Sequence, residues 1–104
     1  MSQQPQHKKP LTPNQMGYVL FEIGEGAKQI AALSIAMHQT GEDEKLLEAL
    51  QGAIGSLAQR IGLIADMAAL RMLEVTGLGP IMESAEQWVM PPGFQLEDLA
   101  RKAT

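Results

Sequence analysis

The chain predicts an all-α fold: an antiparallel two-helix hairpin with a short C-terminal helix, completed by a second copy as a four-helix bundle. Three features of the sequence lead there. Apolar residues recur at alternating steps of three and four over two long stretches, the period of a helical seam. Glycine and proline cluster where those stretches end, at Gly41 and across Gly77-Leu78-Gly79-Pro80, and such residues stop helices. No run alternates apolar with polar residues, and β-branched residues are sparse, so strands are not expected.

Residues 1–11 read as a disordered polar tail. Its opening, MSQQPQHKKP, is followed by no apolar stretch of the kind a secretory signal needs. Then comes LTPNQM. Thr12 suits an N-cap, because its hydroxyl can accept an otherwise unpaired backbone N–H. Pro13 suits the first helical position, and Gln15 can complete a capping box. Leu11 and Met16 can close over that turn as a hydrophobic staple. The first helix is expected over 13–39, with Gly41 just past its end.

Glu42, Asp43 and Glu44 favour a new N-terminus, since carboxylates meet the positive end of the helix dipole there. The second helix is expected over 43–76. A short helix follows over 80–89, again with proline at its first position. Residues 12–90 thus form the hairpin with its short helix. Pro91-Pro92-Gly93 breaks the chain, and 91–104 read as a partly helical C-terminal extension.

Each long helix carries two stripes. Large residues line one: Met16, Leu20, Ile23, Ile30 and Met37 on the first helix, and Leu47, Leu50, Ile54, Leu57, Ile61 and Ile64 on the second. Small residues line the other: Gly17, Gly24 and Ala31, then Gly55, Gly62 and Ala69. Glycine within a helix costs about 1 kcal/mol relative to alanine, so a compensation is expected. The expectation is that the small stripes face each other, Gly24 against Ala58 and Ala27 against Gly55. The large stripe would then lie on a shared face. Leu20, Ile23, Ile30, Leu47, Leu50, Ile54, Leu57, Ile61 and Ile64 are the candidate interface with a second copy.

Composition narrows the function. There is no cysteine among the 104 residues, so disulfides, thiolate metal sites and thiol nucleophiles are excluded. His7 and His38 stand apart, and no pair has metal-ligand spacing, so no metal or cofactor is expected. Ser34 and His38 lie at helical spacing but lack an orienting carboxylate, and no catalytic residue is assigned. The net charge is −4 and no basic block is present, so nucleic acid is a poor partner. A membrane span over 49–70 is disfavoured by Gln51, Gln59, Arg60 and Asp66. Trp88, Phe94, Leu96 and Leu99 are candidate contacts for a protein partner, because aromatic anchors dominate binding surfaces. The expectation is a non-enzymatic cytoplasmic interaction or structural protein that forms a homodimer. The alternative is an amphipathic protein laid on lipid or another hydrophobic surface.

Overall fold

The computed structural model describes residues 8–73 and 77–102. Four helices account for most of them: α1 (Pro13–Gln39), α2 (Glu44–Met72), α3 (Pro80–Val89) and α4 (Pro92–Lys102). No strand occurs among the described residues. The expected end of the second helix, 74–76, lies outside them, as do residues 1–7 and 103–104.

Local signals act as their chemistry dictates. The Thr12 hydroxyl accepts the Gln15 N–H at 3.0 Å, and the Gln15 side chain accepts the Thr12 N–H at 3.0 Å. That is the reciprocal capping box. Gly41 lies in the first connection with φ +67°, a left-handed conformation that glycine adopts without a steric penalty. Asp43 then caps α2 by accepting the Leu46 N–H at 3.1 Å. Pro80 opens α3 at a position where a missing N–H costs nothing.

α1 and α2 pack along each other. Glu22 pairs with Arg60 at 2.9 Å, and Gly26 lies against Ile61. α3 packs on α2, and α4 reaches α1. The buried apolar cluster comprises Leu11, Val19, Ile64, Met67, Ala68, Val89, Met90 and Phe94. All of these belong to one end of an elongated body measuring 58 × 30 × 21 Å.

The small stripes do not meet, which corrects the sequence expectation. A Cβ added to Gly17, Gly24, Gly55 or Gly62 would find no atom within 4 Å. Ala27, Ala31, Ala58, Ala65 and Ala69 are exposed as well. Ile23, Ile30, Leu47, Leu50, Ile54, Leu57 and Ile61 are instead half-buried on the sides where α1 and α2 approach, and Ile64 is fully buried. The reason is the relative gain. Burying a branched side chain is worth about 1.5–3 kcal/mol, more than a glycine contact returns. Leu20 departs from its stripe and is 62% exposed.

Two further expectations change. Residues 8–11 are docked and not part of a loose tail: Leu11 is buried, the Lys9 carbonyl accepts from Arg71, and the Pro10 carbonyl accepts from Arg101. Residues 91–102 are no appendage either. Phe94 is fully buried in the core, because α4 carries the apolar surface that closes this end of α1 and α2.

The glycines now separate into two kinds. A Cβ at Gly26 would lie 2.7 Å from Ile61 Cδ1 and 2.8 Å from its Cγ1. Gly52 is exposed with nothing near. Gly52→Ala is therefore expected to stabilise by up to about 1 kcal/mol through helix propensity. Gly26→Ala should destabilise by roughly 1 kcal/mol, as overpacking outweighs that gain. Thermal melts of the two variants should shift in opposite directions.

Candidate functional site

The densest polar site is built around Arg71, which is 1% exposed. Arg71 continues the α2 seam three residues beyond Ala68, so its side chain points into the core. Every guanidinium nitrogen is used. Nε and Nη2 donate to the Lys9 carbonyl at 3.0 and 2.9 Å. Nη1 donates to Glu86 Oε1 at 2.5 Å and to Asp98 Oδ2 at 3.0 Å. Nη2 also donates to Asp98 Oδ1 at 2.7 Å. The Phe94 ring lies 5.6 Å from the guanidinium carbon, within the range of a cation–π contact.

Neighbouring groups complete the cluster. Lys8 bonds the other Glu86 oxygen. Gln15 donates to the Phe94 carbonyl and to Asp98 Oδ1, each at 2.9 Å. The Thr12 hydroxyl donates to Glu97. Gln95 donates to the Glu86 and Gln87 carbonyls. The helix-start residues Thr12 and Gln15 therefore serve twice, capping α1 and holding α4.

Burial acts to raise the Asp98 carboxyl, but hydrogen bonds from Arg71 and Gln15 and the charges of Arg71 and Lys8 outweigh it. The carboxyl is held below its ordinary value. Arg71 shows the mirror case: burial would lower it, and Asp98 and Glu86 raise it. Asp98 and Glu86 thus share Arg71, and Glu86 also takes Lys8. The side chains bonded to them belong to Arg71, Lys8 and Gln15. The arrangement is a clamp joining the N-terminal segment, α2, α3 and α4.

Two open grooves flank the clamp. One, of about 190 Å³, is lined by Lys8, Glu86, Gln87, Gln95, Asp98 and Leu99. The other, of about 420 Å³, is lined by Thr12, Pro13, Asn14, Glu97, Ala100 and Arg101. Both are open, and their carboxylates are already engaged, Glu86 by Lys8 and Arg71, Asp98 by Arg71 and Gln15, and Glu97 by Thr12. Among the described residues, no group of three His, Asp or Glu side chains is placed to hold a metal ion. His38 is exposed in the last turn of α1.

The apolar candidates divide sharply. Phe94 is in the core and is removed from the partner-contact set. Trp88 is 70% exposed, and Leu96 and Leu99 are exposed too. Ile81 lies seven residues before Trp88, on the same side of α3, and is also exposed. By length and composition, α2 is apolar enough to cross a membrane, although Arg60 in its middle is ion-paired with Glu22.

No protein-family model matches this chain, and no curated protein or solved structure shows significant similarity to it.

Proposed function

We propose that the protein is a small, non-enzymatic helical hairpin whose task is association with other proteins, first of all with itself. Two copies pair along α1 and α2 as a four-helix bundle. One observation carries the reading: from residue 27 to residue 63 no residue is buried. That stretch contains the second half of α1 and most of α2. Its isoleucines and leucines reach only half-burial, because two helices alone cannot enclose a core.

The dimensions support it. A compact chain of this length has a radius of gyration of about 13 Å, against 17.1 Å here. A folded monomer of this mass exposes about 5,700 Å², and this chain exposes 7132 Å². The excess of roughly 1,400 Å² exceeds the 800 Å² per partner of a standard interface. The exposed Trp88, Leu96 and Leu99 offer a separate place for a different protein.

The apolar length of α2 favours a second reading, in which the bare surface rests on lipid. Interfacial helices carry many basic residues on their polar side, and α2 has only Lys45, Arg60 and Arg71. The two readings part in one experiment. For a dimer, the thermal midpoint rises with protein concentration, and the protein stays at the bottom of a gradient when mixed with neutral or anionic vesicles. A midpoint independent of concentration, together with flotation, would favour lipid instead.

A further inference from the structure

The bundle reading leaves open which side of the α1–α2 pair receives the second copy. The two sides differ in kind. Glu22 and Arg60 meet on one of them. Tyr18, one turn before Glu22, shares that side, and Gly93 of α4 is crowded against the Tyr18 hydroxyl. So α4 lies against the Tyr18 end of the side bearing the ion pair. Turning each helix the other way across the seam, at about 100° per residue, leads to the opposite side. There α1 presents Leu20, Ala27 and Ala31, and α2 presents Ala58, Gly62 and Ala65. All six are exposed.

We infer that this opposite side is the docking surface for a second copy, an inference that rests on the self-association proposed above. No Asp, Glu, Lys or Arg falls within about 60° of its centre line between residues 16 and 38 of α1 or 47 and 69 of α2. Neither α3 nor α4 shields it. Its size fits the partner. Two helices side by side are about 20 Å broad, and α1 is about 40 Å long, giving roughly the 800 Å² that each member of a standard dimer buries.

Its texture favours protein over lipid. Half-buried Ile23, Ile30 and Ile54 lie along the middle, and small residues flank them. Glycine and alanine at the flanks let two more helices approach closely enough for ridges to enter grooves. A lipid surface rewards bulky side chains and gains nothing from such close approach. The glycines that look costly inside one chain are placed where a second chain would use them.

Two exposed positions test the assignment. Ala58→Glu places a charge on the proposed surface. Ser56→Glu places one on the side with Arg60, where the backbone is equally open. In sedimentation velocity, Ala58→Glu should weaken the dimer by at least about 100-fold, from burying an unpaired carboxylate in each copy. Ser56→Glu should change it less than about threefold, as surface charges do. Dimerisation broken by Ser56→Glu and not by Ala58→Glu would overturn the surface while leaving self-association standing. A monomeric parent protein would overturn both.

If Ala58→Glu loses its helical circular dichroism, a chain without native cysteine allows a gentler probe. Thiols introduced by Ala58→Cys and Ser56→Cys are alkylated at rising protein concentration. Protection of the first alone supports the surface. Equal protection, or protection of the second alone, overturns it.

Discussion

Arg71→Met is expected to cost about 3–5 kcal/mol of folding stability, the usual penalty for removing one partner from a buried ion cluster. The side chain makes five hydrogen bonds from one guanidinium. Methionine keeps the apolar stem and removes every donor. Glu86 keeps Lys8, and Asp98 keeps Gln15 and the more distant Arg101 at 4.0 Å, while the Lys9 carbonyl loses both bonds that Arg71 gives it. A chain of this size has a total stability of only about 5–15 kcal/mol, so the variant should sit near its unfolding threshold at room temperature.

Urea denaturation followed by circular dichroism measures the loss. Adding Glu86→Gln and Asp98→Asn to Arg71→Met should recover part of it, because neutral amides remove the carboxylate charge that Arg71 no longer balances. Recovery separates the electrostatic cost from lost packing. A loss under about 1 kcal/mol for Arg71→Met, the range of an exposed pair, would contradict the clamp.

Phe94→Ala is expected to cost about 3–5 kcal/mol, the range for removing an aromatic ring from a core. Phe94 is fully buried among residues from α1, α2 and α3. Its backbone carbonyl would keep the bond from Gln15, so the variant reports on the ring alone. Leu96→Ala and Leu99→Ala, two and five residues further along the same helix, are exposed. They should stay within about 0.5 kcal/mol, as surface changes do. Because the ring also lies beside the Arg71 guanidinium, the Arg71→Met and Phe94→Ala losses should not add, as expected for residues in contact. Urea midpoints of the four variants and the double variant test this pattern.

Several local features are legible in local chemistry. The capping box at Thr12 and Gln15, the left-handed Gly41 and the proline that opens α3 depend on a few neighbouring residues, so the sequence carries them directly; Pro91-Pro92-Gly93 reads as a break, yet α4 begins at Pro92. Periodicity also shows which residues share a face. It does not show which face turns inward. Large and small stripes lie about a quarter turn apart, and rotating both helices by that amount exchanges the two arrangements. Only the summed burial of Ile23, Ile30, Ile54 and Ile61 chooses between them, and that is a property of the assembled pair.

The Arg71 cluster escapes sequence reasoning for a different reason. Arginine is normally a surface residue, and its partners lie 15 and 27 positions away at Glu86 and Asp98. One signal is present. The seam through Leu57, Ile61, Ile64 and Ala68 continues at the same alternating step to Arg71, which puts a charge on an apolar seam. Such a charge requires carboxylates, and among the described residues the acidic side chains that follow it are on α3 and α4.

The central claim is that residues 27–63 find their core in a second copy. Sedimentation equilibrium of the intact chain at micromolar concentration tests it most directly. The account predicts a particle of twice the 11.3 kDa chain mass. A folded species that stays at the single-chain mass across the concentration range would contradict it.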